Sequence, residues 1–547
     1  MKKTFLLILV SLWALFPVQA QNLIPEPLEQ IPANGLPFRL TAKTRVVYFD
    51  ASLSMLANQL VTDIQQMTGF KLKIAPFKAS SGDIVLQLDA AHDLLPQNHT
   101  TYGVSAQSPE GVDERYAVNV QATQIRLVGA SLQGVTLATA TLRQMLAQSL
   151  EVPAQLIQDA PLLAWRGLSL DCSRHFWEVS EVQKVLDMMS LYKLNVLHLH
   201  LTDNQGWRLQ VNGYPELTAQ GGSYSQADYQ QILSYAERRG ITLVPELDIP
   251  GHTQAVFNAY PQLPNAAKSP LSFDLPGQAI AALDPSDEAT LQLVQTALAQ
   301  LAALTPGRYI HVGGDETFGM NEEKYLHFIE FVRRYVHTLG KQVIGWQEMA
   351  RAEVEEGDIL QNWISFSKKQ IFSKSSNENP AAQAIPDEVK QLLSATYLKA
   401  PKDLQTAKEK RVRVLLSPSA FCYLDCPYEE QSRDPDQAEQ RQNLGLQQYA
   451  RQNLQDMYEW NPLTYSSVLS STDDLVGVEA AIWCETIGSF QDLQFLMLPR
   501  LTGVAEKAWC PQEKAQWESY RQRLASQSRV WRNLKWNFFQ SEMIDWE

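Results

Sequence analysis

Cysteine is scarce in this chain. Five residues among 547, Cys172, Cys422, Cys426, Cys484 and Cys510, make no disulfide framework. One pair stays open, and the odd number leaves at least one thiol free. Cys422 and Cys426 are spaced like two metal ligands, but no His or further Cys clusters near them, which argues against zinc. Positive charge is also in deficit: 46 Lys and Arg against 60 Asp and Glu give a formal charge of −14. That balance disfavours nucleic acid and anionic lipid as partners and says little about a neutral substrate. After the N-terminal stretch no apolar run is long enough for a membrane span. The glycines of Gly129–Gly134 mark a turn, but no Lys-Ser/Thr follows, which argues against a phosphate loop.

What is present starts with Met1-Lys2-Lys3, an apolar stretch from Thr4 to Val18, and Gln19-Ala20. A basic start, a short apolar core and a small residue at the end predict a signal peptide over 1–20. The mature protein is then expected to be exported, periplasmic or secreted from a bacterium, with no membrane contact after cleavage. The chain is 45% hydrophobic and 19% charged, as globular proteins are, and long enough for two or three domains or one large barrel with an addition. It carries 13 Trp and 19 Tyr, whose flat faces suit ligands with apolar C–H surfaces, sugars among them.

Residues 21–158 read as a small α+β domain. Strand character appears at Arg45–Phe49, Ile84–Leu88, Arg115–Val120 and Gln124–Val128. Helical spacing appears at Ser54–Thr68 and Val135–Leu146. Residues 159–547 change rhythm. Eight short apolar runs follow one another, most with a helical pattern behind them, which predicts an α/β fold: a (β/α)8 TIM barrel with a C-terminal helical tail. Trp517, Trp531 and Trp536 of that tail read as structural. Between Trp363 and Val412 the rhythm breaks; Lys368–Asn379 reads as a mobile loop and Pro386–Ala395 as helical.

The run ends carry the chemistry. Asp171, Asp203, Glu246, Asp315, Trp346, Trp363 and Trp483 fall at or just past them, and in a barrel those ends converge on one face. The most informative stretch is Tyr309-Ile310-His311-Val312-Gly313-Gly314-Asp315-Glu316. Two glycines end a buried run and two carboxylates follow. Repulsion between adjacent carboxylates splits their pKa values, a condition for an acid beside a charge stabiliser. Taken alone, Glu316 is an ordinary loop carboxylate, His252 a cap and Trp363 core; the joint placement favours a site. His198 and His200 share one strand face, but that face supplies no third metal ligand by itself, and His198 reads as packed inside the barrel.

Four stretches together resemble the β-N-acetylhexosaminidases of glycoside hydrolase family 20. They are Leu170-Asp171-Cys172-Ser173-Arg174-His175-Phe176, His200-Leu201-Thr202-Asp203-Asn204-Gln205-Gly206-Trp207-Arg208, Pro245-Glu246-Leu247-Asp248-Ile249-Pro250-Gly251-His252 and His311-Val312-Gly313-Gly314-Asp315-Glu316. The resemblance implies retaining hydrolysis in which the sugar's own 2-acetamido oxygen attacks C1. It implies Glu316 as general acid and then base, Asp315 as acceptor of the acetamido N–H, and Tyr423 as donor to the acetamido oxygen. It makes Arg174, Asp425 and Glu485 the grips on the sugar hydroxyls, and Trp346, Trp363 and Trp483 the acetamido walls. Trp460 is the implied platform for the leaving group. Asp203, Asp248 and His252 are implied to orient and tune the acid–base pair. No cofactor and no metal are implied. The partner is an oligosaccharide or glycan with a terminal N-acetylhexosamine, chitobiose for instance. The same fold would also serve GalNAc, glycoconjugate or lacto-N-biose ends, or a glycan-binding barrel without activity. Asn204, where a second Asp is frequent, and the long 366–410 segment depart from the commoner pattern and leave subsite shape open.

Overall fold

The structure, a computed structural model, describes residues 21–97, 99, 101–106, 108, 110–267, 280–365, 387–469 and 471–547, without the side chains of 387–397. The signal peptide expected over 1–20 and the loop expected over Lys368–Asn379 lie outside the described residues.

The N-terminal part is a seven-stranded mixed sheet in the order Glu29–Pro32, Gln155–Asp159, Tyr116–Gln121, Gln124–Gly129, Asp83–Leu88, Arg45–Tyr48, Lys73–Pro76. Its two helices are those the spacing predicts. Ser54–Thr68 buries Leu56, Leu60 and Ile64, and Gly69 ends it in the left-handed conformation that glycine adopts without strain. Leu132–Gln148 starts where the Ser131 hydroxyl accepts the Gly134 N–H, so the Gly129–Gly134 turn serves as a helix cap.

The second part is a closed barrel of eight parallel strands. They are β1 (Trp165–Asp171), β2 (Val196–His200), β3 (Thr242–Glu246), β4 (Tyr309–His311), β5 (Gln342–Trp346), β6 (Ile359–Asn362), β7 (Arg413–Leu416) and β8 (Leu475–Ile482). Each strand gives one residue to an apolar layer: Trp165, Val196, Val244, Tyr309, Ile344, Ile359, Leu415 and Val476. Two residues further along, β2, β3, β4 and β6 place the buried polar residues His198, Glu246, His311 and Gln361. In β2 the alternation is Val196, His198, His200, and all three are buried. The helix before β7 runs from Asp387 to Glu409 through Pro401, well past the predicted Pro386–Ala395. Between β5 and β6 there is no helix, only the single turn Gln347–Arg351.

Buried ion pairs join the two parts. Glu114 accepts two hydrogen bonds from Arg166 of β1 at 2.7 and 2.8 Å, and Asp159 accepts from Lys193 at 2.9 Å and from the Trp509 indole at 3.0 Å. The tail helix Trp517–Leu534 buries Trp517 and Trp531, while Trp536 is half-buried. All five cysteines are buried free thiols, so the one pair the count left open does not form.

Candidate active site

The strand ends gather the predicted residues at one mouth. After β4, Gly313 (φ 67°) and Gly314 (φ 96°) turn the chain in the left-handed region. A side chain at Gly313 would strike the Asp248 carboxylate, with its Cβ 1.8 Å from Oδ1, so only glycine lets the two loops meet. The Gly314 N–H donates to Asp248 Oδ1 at 3.2 Å. Two site residues also sit at positive φ without being glycine: Glu316 at 44° and His252 at 52°. Such strain concentrates where surrounding structure fixes a functional group.

His252 links the carboxylates. Its Nε2 lies 3.7 Å from Glu316 Oε2 and 3.9 Å from Asp315 Oδ2, and its Nδ1 lies 3.1 Å from Asp203 Oδ2. Asp203 also takes Arg174 at 2.7 Å and His200 Nε2 at 3.2 Å. Burial opposes charge on Asp203, but Arg174, His252 and His200 outweigh it and hold its carboxyl well below the usual range. Burial likewise opposes charge on His252, and the carboxylates of Asp203, Asp248 and Asp315 outweigh it, so the imidazole is strongly basic.

The two adjacent carboxylates differ from the sequence expectation in cause. Burial is the main force raising Glu316, against the pull of His252 and Arg174. Burial is also first for Asp315, followed by Asp248, with Glu316 ranking behind Glu348. Mutual repulsion is therefore a minor contribution beside burial, which acts on both. Their side chains keep 15% and 28% exposure, enough to meet a ligand from the mouth.

A wall of aromatic rings stands beside them. Trp346 and Trp483 lie 6.0 Å apart at 49°, and Tyr423 stands edge-on to Trp483 at 5.8 Å. Trp346 is held by donating Nε1–H to Glu246 at 3.0 Å, and Trp363 by donating to Glu348 at 3.1 Å. Arg174 reaches over Trp483 at 5.3 Å. Glu485 stands exposed at the rim, and Asp425 is buried, with both carboxylate oxygens lacking a hydrogen-bond partner among the described residues. Buried polar atoms are rarely left so. Asp315 Oδ1 is in the same condition.

Trp460 is not part of this wall. It is buried in a separate stack, parallel to Phe421 at 5.3 Å and edge-on to Tyr465 at 5.9 Å. Tyr449, which sequence reasoning passed over, packs with Trp346, Trp363, Tyr423 and Trp483 instead, 6.3 Å from the Tyr423 ring. The long β7–β8 connection has no periodicity that would have told the two aromatics apart.

Below the mouth runs a ladder of buried carboxylates and histidines. Glu479 of β8 accepts from Trp165 Nε1 at 2.8 Å and Gln361 Nε2 at 2.9 Å, and meets His198 Nδ1 at 2.9 Å. His198 Nε2 is 3.1 Å from Glu246, which also meets His200 at 2.5 Å and His311 at 2.8 Å. Gly167 clears the space, since a Cβ there would lie 2.3 Å from Glu479. His198, Glu246 and His311 could offer a metal three ligand atoms, as could His200 with Glu246 and Asp248. Glu246 lies at hydrogen-bond distance from all three histidines, burial pushes His311 toward its neutral form, and the ladder carries Asp203 and Trp346 on its top rungs.

The family model for the glycosyl hydrolase family 20 catalytic domain matches residues 163–512, and that for domain 2 of the same family matches residues 20–160. A β-N-acetylhexosaminidase of Cellulomonas fimi is 30% identical over 538 residues, covering 96% of this chain and 97% of its own length. The solved β-N-acetylhexosaminidase of Streptomyces coelicolor superimposes with a TM-score of 0.79 at 29% identity, over 96% of this chain and 99% of that one. A variant Streptomyces plicatus β-hexosaminidase, solved with its product GlcNAc, gives 0.79 and 29% over 97% and 99%. The matches span the barrel and the small sheet ahead of it over nearly the whole length of these relatives, and the chain belongs to glycosyl hydrolase family 20.

Proposed function

We propose that this protein is an exo-acting β-N-acetylhexosaminidase that removes a terminal β-linked GlcNAc from chitobiose or related glycans. The observation that carries the reading is the adjacency of Asp315 and Glu316 under one histidine, beside a wall of aromatic rings. Retaining enzymes that use a protein nucleophile place two carboxylates on opposite faces of the sugar, whereas families that use the substrate's own acetamido group do not need the second. Glu316, raised by burial, holds a proton for the glycosidic oxygen and later takes one from water. Asp315 accepts the acetamido N–H and faces the positive charge that grows as the acetamido oxygen closes on C1. A positive charge beside Asp315 favours its ionised form and offsets its burial. Tyr423 orients the acetamido oxygen. Arg174, Asp425 and Glu485 hold the outer hydroxyls, and Trp346, Trp363 and Trp483 enclose the methyl group. Asp203, Asp248 and His252 orient the pair and set its charge.

The leader predicted over 1–20 supports an exported, periplasmic or secreted protein, and no helix among the described residues is long and apolar enough to cross a membrane. We read residues 21–158 and 159–547 as its two domains. The test is an assay on aryl β-GlcNAc, β-GalNAc and β-glucoside alongside chitobiose. The reading expects fast cleavage of the N-acetylated sugars and negligible cleavage of the glucoside, which has no acetamido group. Equal rates on β-GlcNAc and β-glucoside would overturn it.

A further inference from the structure

The turn Gln347–Arg351 follows β5 directly and puts Glu348 under the mouth of the barrel, 3% exposed. Its Oε2 accepts the Trp363 indole N–H at 3.1 Å, and its Oε1 is buried with no partner among the described residues. The turn is locked to the catalytic loop, since the Trp346 N–H donates to the Gly313 carbonyl at 2.9 Å. Tyr325 fastens the same loop by donating to the Gly314 carbonyl at 2.8 Å. Five groups face Glu348: Trp363 from just past β6, Tyr325 from the helix after β4, Asp315 from the catalytic loop, Asp403 from the helix before β7, and Arg351 from its own turn. Arg351 is engaged by Asp403, with contacts of 3.1 and 2.9 Å, and so only partly compensates Glu348.

Holding an indole N–H needs only an acceptor, and a neutral amide would serve. A buried carboxylate costs far more than an amide unless its charge is used. Burial is the chief force lifting Glu348 to about 7, so it is partly ionised near neutral pH and a cation nearby would ionise it further. In the reaction read above, the acetamido group is the place where a cation appears.

We propose that Glu348 is a positioning residue for the sugar's 2-acetamido group: it fixes the Trp363 wall and adds a second carboxylate to the field of Asp315, so that the pocket favours an N-acyl group turning cationic. Preorganised charge of this kind acts on the transition state more than on the bound sugar. The inference rests on the function proposed above.

The experiment uses the whole protein and two variants, Glu348→Gln and Glu348→Leu. The probes are a sugar-fused aminothiazoline, which carries a positive charge, and neutral GlcNAc. Glu348→Gln keeps the acceptor and removes the charge. It should weaken the cationic probe roughly tenfold while changing GlcNAc affinity less than about threefold. Without the neighbouring carboxylate, Asp315 ionises more easily, so the acid limb of kcat/KM should move to lower pH by about half a unit or more. Glu348→Leu should in addition raise KM about tenfold, because the Trp363 N–H loses its acceptor. Equal weakening of both probes with an unmoved acid limb would overturn the proposal and leave Glu348 a packing residue. If the Leu variant fails to fold, the near-isosteric Gln variant carries the test. Failure of the underlying function would already show in the unaltered protein, as equal rates on the β-glucoside.

Discussion

Nε2 of His252 lies 3.7 Å from Oε2 of Glu316, while its Nδ1 is tied to Asp203 at 3.1 Å. The imidazolium therefore pulls Glu316 downward against burial, and does the same to Asp315. In the proposed mechanism activity needs Glu316 protonated and Asp315 ionised. It is lost as pH rises through the first pKa and as pH falls through the second. Replacing His252 by Asn removes the cation and raises both values. Both limbs of the kcat/KM profile should then move to higher pH, by about one unit. Unmoved limbs would show that His252 is not charged in the free enzyme.

Glu316→Gln removes the proton that the leaving group needs. Chitobiose and other substrates with poor leaving groups should slow by about 10²–10⁴-fold, and an aryl glycoside with an activated leaving group much less. Equal losses on both would assign the acid elsewhere. Leaving-group dependence of kcat/KM is the measurement.

The ladder should show in stability rather than rate. Burial opposes charge on His198, but Glu246 and Glu479 outweigh it and lift the imidazole to about 9 from an ordinary 6.5. A raised histidine contributes stability that is complete below its unfolded value and is lost as pH rises through its folded one. Thermal stability should therefore weaken between about pH 6.5 and about 9, by a few kcal/mol in all. His198→Gln should flatten that window and cost about 3–5 kcal/mol, because it leaves two buried carboxylates short of a partner. A melting curve series across pH decides it.

Tyr449 and Trp460 separate two views of the leaving-group side. Tyr449 packs with the rings of the site, and Trp460 is stacked against Phe421. Tyr449→Ala should raise KM for chitobiose about tenfold while leaving aryl substrates less affected. Trp460→Phe should lower Tm and leave KM within about twofold. The reverse pattern would restore Trp460 as the platform.

The barrel was legible because its strands alternate and end on charged or aromatic residues. Val196, His198 and His200 alternate by two, and Gly313-Gly314 ends a strand with unmistakable chemistry behind it. The turn at Gln347–Arg351 was not legible, since a single turn has no period to detect, and with it the buried Glu348 went unnoticed. The stacking of Trp460 on Phe421 was not legible for a similar reason: composition marks an aromatic but does not say which rings it joins.

The sequence by itself determined the order of strands, the charged and aromatic residues at their ends and the face on which those residues meet, because local pattern and strand polarity suffice for that. Only the tertiary structure decided how those groups are charged. Burial and partners distant in the chain, Glu479 against His198 and His252 against Glu316, set each proton's place, and solvent exclusion is a property of the closed barrel rather than of any stretch of chain.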